Sequence, residues 1–237
     1  MTKAASGNKP THFEDQNWQQ VEAYLGKDDR IMLVLGACEQ HSTLSLLTDS
    51  KIPLALADSA SGITGVAVAP PLHFGVSPYF LSYPGTISLR LQTYLDVVED
   101  IVSSLYGYGF RRVLILNGHG GNTPAKTSLV ELINRLPDLH VRWYAWWLSP
   151  VVGQFAQEHN LITAHANWME NFSFTRVGKA PTGEKPALAT RDNTGMTETR
   201  ALAGDGSYGG RYQVEDALMQ TLFDLCLEET LELLKFS

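Results

Sequence analysis

Three short segments place carboxylates, imidazoles and glycine-rich backbone where a metal centre could use them. The first is Glu39-Gln40-His41, followed after a short loop by Thr48-Asp49. The second is Asn117-Gly118-His119-Gly120-Gly121-Asn122. The third is His165-Ala166-Asn167-Trp168-Met169-Glu170. In an extended segment, residues two apart project to the same side, so Glu39 and His41 can reach one centre or two adjacent ions. Asp49 returns from its loop with a carboxylate whose two oxygens can bridge a pair of ions. A pair about 3.5–4 Å apart is a common device for activating water.

The second segment combines glycines, which permit positive φ and close backbone approach, with a histidine at the C-terminal edge of a strand. Open α/β sheets bind ligands at that edge. Backbone N–H groups of Gly120 and Gly121, with Asn122, could orient a substrate or stabilise an oxyanion. The spacing is neither a dinucleotide fingerprint nor a P-loop, since the G-x-G-G of this segment lacks the G-x-G-x-x-G pattern and no G-K-[ST] follows it. In the third segment, the spacing of His165 and Glu170 does not suit one face of a helix. A turn leading into a helix start would bring both inward. Glu170 would then offer a carboxylate, and His165 a ligand or a proton donor. Trp168 is a candidate wall of the substrate pocket, with Trp143, Trp146 and Trp147, although core packing is the commoner fate of such rings. Taken singly, the first and third segments also read as loop acids, helix caps and surface histidines. His12, His73, His140 and His159 are not expected to bind metal.

The elements around these segments must place them together. Continuous apolar runs at Ile31–Gly36 and Ile63–Ala69 predict strands buried on both faces, as in a parallel sheet; Arg111–Leu116 reads as a basic entry into a buried strand, and the aromatic-rich Val141–Leu148 as a fourth strand. Helical spacing or helix-start signals predict helices over Trp18–Leu25, Leu89–Tyr106, Pro124–Leu136, Val151–His159 and Gln213–Phe236. Residues 178–195 and 204–210 read as loops. The alternation of strand and helix predicts an α/β protein with a mostly parallel central sheet and helices on both faces. Residues 1–14 read as a flexible tail and residues 15–237 as one domain.

The bulk composition narrows the function classes. The chain has 237 residues, 44% of them apolar, and a formal net charge of −7. That balance argues against nucleic acid and anionic membrane as partners. No apolar run approaches a membrane span, and the polar N-terminus predicts no signal peptide and a cytoplasmic protein. Cys38 and Cys226 form no paired metal motif, and Cys38 reads as a buried thiol packed as a small hydrophobe.

Taken together, the segments resemble the creatininase (creatinine amidohydrolase) family. The family's E-Q-H-G and T-D stand here as Glu39-Gln40-His41-Ser42 and Thr48-Asp49. Its N-G-H-G-G-N matches residues 117–122, and its H-A-G-x-x-E-T stands as His165 to Asn171. An F-P-G-T-I-S type segment appears as Tyr83 to Ser88. The resemblance implies a three-layer α/β/α sandwich and two divalent ions per chain, Zn²⁺ or Mn²⁺, with Fe²⁺ as a further fit. It implies the ligands Glu39, His41, Asp49 and His119, with Asp49 bridging. Creatininases proper carry a further glutamate two residues after the second-motif histidine. Gly121 occupies that place, which leaves Glu170 as the fifth ligand. The histidine often found just before F-P-G-T has no match; Phe80 lies near its place. The implied activity is hydrolysis of a C–N bond in a small amide, cyclic amide or formamide by a metal-bridging hydroxide. His165 would be the proton donor, Glu170 or Asp49 would hold the nucleophile, and Gly120, Gly121, Asn122 and Trp168 would contact substrate. A peptidase, a deformylase, a cyclic-ketone hydrolase and a non-catalytic protein with a vestigial site are the alternatives. The resemblance also implies a homo-oligomer, with a hexamer as a frequent form.

Overall fold

The computed structural model describes residues 8–189 and 194–237. Its centre is a four-stranded parallel sheet in the order β2-β1-β3-β4. The strands are β1 Arg30–Leu35, β2 Ala67–Val68, β3 Arg112–Asn117 and β4 His140–Ala145. Successive side chains of a strand point to opposite faces, and the two hydrophobic clusters follow that rule. Met32, Val34, Leu114 and Leu116 face one cluster, together with Ile52, Leu56, Val152, Phe155, Met219 and Leu222. Ile31, Leu33, Leu35, Val113 and Ile115 face the other, with Tyr94, Val98, Val102, Leu129 and Leu132. Those partners identify the layers. Helices α2 (Thr48–Thr64), α5 (Pro150–Glu158) and α7 (Asp216–Leu233) cover one face. Helices α3 (Leu91–Tyr108) and α4 (Pro124–Arg135) cover the other. The fold is a three-layer α/β/α sandwich.

Local chemistry explains most helix ends. Helix α1 (Trp18–Leu25) starts with a reciprocal capping box between Asn17 and Gln20. Helix α3 runs through Gly107 and stops at Gly109, whose φ of 120° suits glycine. Pro124 occupies the first position of α4.

Four stretches differ from the sequence expectation. The run Ile63–Ala69 is mostly not strand: α2 extends to Thr64, and only Ala67–Val68 pair with β1. Helix α2 has no amphipathic stripe to reveal it, because it is buried along much of its length and carries Pro53 inside it. The run Val141–Leu148 leaves the sheet at Ala145 and closes as a 3₁₀ turn, Trp146–Leu148. Of the expected tail, residues 1–7 lie outside the described residues, but residues 8–14 are docked. Asn8 N–H donates to Gly62 O, Thr11 N–H to Ser61 Oγ, and Val68 N–H to Thr11 O. Within 178–195, Glu184–Lys185 forms β5 and pairs with β6, Gly210–Arg211; residues 190–193 lie outside the described residues. Helix α6 (Met196–Ala203) joins the two.

Candidate metal centre

The strand order reverses between β1 and β3, since the chain leaves β1 toward β2 and leaves β3 toward β4. A crevice opens at the carboxyl ends of strands where the order reverses. Glu39 and His41 lie just beyond the end of β1, and His119 just beyond the end of β3. Asp49 sits in the first turn of α2, where a carboxylate is favoured by the helix dipole. Glu170 arrives on a 3₁₀ turn, Trp168–Glu170. All five are buried.

Close backbone contacts fix these positions. Pro53 has no N–H to give to Asp49 O in the helix. That carbonyl lies against Gly118, where a Cβ would meet it at 1.8 Å. Gly121 packs on Val76 O, which a Cβ would approach to 1.9 Å. A glutamate in that backbone position would collide, consistent with the fifth ligand coming from Glu170. Glu170 is itself oriented: Ala166 N–H donates to Oε2 at 2.6 Å, leaving Oε1 toward His41. His41 donates from Nδ1 to Glu39 O at 3.1 Å, which aims the Nε2 lone pair at the site.

The ligand atoms converge in two groups, Glu39–Asp49–His119 and His41–Asp49–Glu170. Within each group they lie within 4.8 Å of one another, and Asp49 belongs to both. His41 Nε2 is 2.9 Å from Asp49 Oδ1 and 3.7 Å from Glu170 Oε1. His119 Nδ1 is 2.9 Å from Asp49 Oδ2, and its Nε2 is 3.6 Å from Glu39 Oε2. Glu39 Oε2, His41 Nε2 and Asp49 Oδ2 are buried, and beyond these contacts within the cluster they have no hydrogen-bond partner. Buried polar atoms are rarely left so. Mixed carboxylate and imidazole donors, aimed at common points and otherwise unpaired, fit two divalent cations.

The same charges set the protonation of the metal-free site. Burial works against the His119 cation, but Glu39 and Asp49 outweigh it and raise the pKa to about 9. Burial is likewise overcome at His41, which Asp49 and Glu170 hold well above the usual imidazole range. Burial opposes ionisation of Asp49, yet His41 and His119 pull its pKa below the ordinary value. Burial pushes Glu39 up to about 7, against the pull of His119 and with the help of Asp49. Burial and the neighbouring His41 cation bring His165 down to about 4.

Above the ligands is a cavity of about 360 Å³. His165, Gly120 and Gly121 line it, as does Trp147. Asn122 and Trp168 do not. The Asn122 side chain is buried and donates to Gly36 O and Asn117 Oδ1, bracing the turn that carries His119. Trp168 is buried in the core and donates from Nε1 to Ile162 O. Trp146 is also core. Cys38 is partly exposed, with its thiol donating to Gly85 O. His12, apart from the site, pairs with Asp58.

Several cavity residues were not singled out in the sequence. Ser77, Tyr79 and Tyr208 line it; Phe80, noted in the sequence only as standing near the place of a missing histidine, lines it too and stacks on the His165 ring at 4.6 Å. Tyr208 packs edge-on to the same ring. The one available signal was an aromatic residue inside the glycine-rich stretch 204–210, an unusual setting for a ring. Ser77 carried none.

The creatininase model, creatinine amidohydrolase, matches residues 14–234. The chain belongs to the creatininase family. A creatinine amidohydrolase of Pseudomonas putida is 31% identical over 135 residues, covering 54% of this chain and 52% of that protein. A 3-dehydro-scyllo-inosose hydrolase of Thermotoga maritima is 28% identical over 116 residues, covering 47% and 37%. The matched stretches thus span about half or less of these relatives. Among solved structures, a creatininase mutant of type II superposes with a TM-score of 0.80 at 19% identity, over 94% of this chain and 97% of that one. A creatininase designated Mn gives 0.75 at 21%, over 94% and 97%. A mutant of Zn–Zn type gives 0.75 at 21%, over 95% and 97%. These structures share the fold of this creatininase-family chain.

Proposed function

We propose that this chain is a metal-dependent amidohydrolase that cleaves a C–N bond in a small amide, cyclic amide or formamide. The observation that carries this reading is the sharing of Asp49 between two three-residue ligand groups at the floor of one cavity. Glu39, Asp49 and His119 would hold one ion, and His41, Asp49 and Glu170 the other. Zn²⁺ and Mn²⁺ suit this donor set and are the ions named for the related creatininases. Such a pair supplies a water acidified to near neutral pH and a Lewis-acid contact for a carbonyl oxygen.

The chain's own groups supply the rest. His165, on the cavity wall, would donate a hydrogen bond from its ring N–H to the leaving nitrogen. The backbone of Gly120 and Gly121 would meet the substrate at close range, since both line the cavity. Trp147, Phe80 and Tyr208 supply flat apolar walls, and the cavity volume falls in the ~300–1,000 Å³ range of small-molecule sites. A cytoplasmic homo-oligomer belongs to the same reading. Among the described residues, no helix is long and apolar enough to cross a membrane.

Elemental analysis of wild type beside His119→Ala tests the proposal, followed by turnover on a panel of amides, cyclic amides, formamides, a cyclic ketone and a short peptide. Roughly two equivalents of metal in wild type, lost in the variant with turnover, is the expected result. Full turnover by metal-free protein, or no metal after reconstitution, would reject it. Cleavage of the ketone or peptide alone would move the assignment within the family.

A further inference from the structure

The side-chain amide of Gln40 has only one orientation open to it. Its Oε1 lies 3.1 Å from the N–H of Ser42, which can only donate. Its Nε2 lies 3.1 Å from the carbonyl oxygen of Gly206, which can only accept. A flipped amide would set donor against donor on one side and acceptor against acceptor on the other. The NH₂ end therefore points toward Gly206 and His165. Gly206 makes this approach possible: its φ is +95°, and a Cβ there would meet Gln40 Oε1 at 1.8 Å.

The same Nε2 of Gln40 is 2.9 Å from His165 Nε2. An amide NH₂ has no lone pair to offer, so the imidazole nitrogen must accept. A neutral imidazole that accepts at Nε2 carries its proton on Nδ1. Nδ1 is the nitrogen facing Glu39 Oε1, at 3.8 Å. One contact opposes this arrangement: Gln40 O lies 3.2 Å from His165 Nε2 and would suit a proton there. That proton would stand against the amide N–H at the shorter distance. The ring is also held in place, stacked on Phe80 at 19° and flanked by Tyr208 and His41.

We propose that Gln40 is a positioning residue whose amide fixes His165 as the Nδ1–H tautomer, with its donor proton turned toward the metal site. It follows that His165 is not a ligand. Glu39, His41 and His165 do bring ligand atoms within 4.8 Å of one another, but a protonated Nδ1 has no lone pair for an ion. Only the consequence for catalysis rests on the hydrolase reading: this N–H is then a hydrogen-bond donor aimed at the substrate's leaving nitrogen.

The test is an imidazole ¹⁵N correlation spectrum of the full chain, metal-free and zinc-loaded. His165→Asn identifies the His165 signals by their loss. Wild type should show protonated Nδ1 and bare Nε2 in both states. In Gln40→Glu the carboxylate can only accept, and the proton should move to Nε2. A wild-type spectrum with the proton on Nε2, or with zinc-shifted Nδ1, would overturn the proposal, whether or not the variant folds. Metal content and turnover of the same samples report separately on the hydrolase reading. An inactive or zinc-free wild type with the Nδ1–H signature would sink that reading and leave this one standing.

Discussion

Asp49 presents one carboxylate oxygen to each of two histidines: Oδ1 lies 2.9 Å from His41 Nε2, and Oδ2 lies 2.9 Å from His119 Nδ1. The two ligand groups therefore depend on a single side chain. Asp49→Ala should lose both ions together, falling from roughly two equivalents to near none. Glu170→Gln should lose mainly the ion that His41 helps to hold. Titration with zinc against a competing chelator separates the two patterns. Asp49→Ala protein that still binds one ion tightly would show that the groups are independent.

The pH response of the metal-free chain has a definite sign. His119 is raised from 6.5 to about 9. A raised histidine contributes stability that is fully present below its unfolded value and lost as pH rises through the folded one. Glu39, raised from 4.5 to about 7, acts in the same direction, since its neutral form is the favoured one when buried. The chelator-treated protein should therefore lose thermal stability as pH rises, the Glu39 part from 4.5 to about 7 and the His119 part from 6.5 to about 9. Coordination needs the lone pair that the proton occupies, so zinc uptake in this window should release protons and tighten with pH. Calorimetry in buffers of different ionisation enthalpy measures the release. Proton-neutral binding at pH 7.5 would contradict this picture.

Gly118 separates strand β3 from the first turn of α2. A Cβ there would meet Asp49 O at 1.8 Å and Pro53 Cγ at 2.9 Å. Gly118→Ala should cost about 1–3 kcal/mol of stability and weaken metal binding, because relieving the clash moves Asp49. Denaturant unfolding of the metal-free proteins gives the first quantity, and chelator competition the second. Unchanged metal affinity would mean that the helix shifts without carrying its carboxylate.

Trp147 and Trp168 should behave differently when substituted. Trp168 is buried and donates to Ile162 O, which also accepts from Asn167 Nδ2. Trp168→Phe should cost about 1–2 kcal/mol with KM unchanged. Trp147 lines the cavity and packs edge-on to Trp146, and Trp147→Phe should raise KM, the readout that Trp168→Phe leaves unmoved. A Trp168→Phe variant with altered KM and wild-type stability would place that ring at the substrate.

The sequence by itself determined the chemistry and the layering. Residues that can bind metal stand out by type and spacing, and Glu39, His41 and His119 follow apolar runs that did become strands. Those runs, in β1 and β3, are apolar on both faces because both faces are covered, so the parallel sheet was legible without coordinates. Helices α3 and α4 were legible because each turns one apolar stripe inward.

What the tertiary structure decided was where each group points. Helix α2 left no periodic signal, because a buried helix of small residues has no polar face. Yet its docking brings Asp49 between two histidines. Asn122 and Trp168 look from their neighbours like substrate residues, but their polar atoms are taken up by carbonyl groups distant in sequence or in adjacent loops. Phe80, Tyr208 and Gln40 meet His165 across gaps of 40 residues or more. Sequence spacing constrains residues within one element. Directions across the crevice follow from how separate elements pack, and only the folded chain sets those.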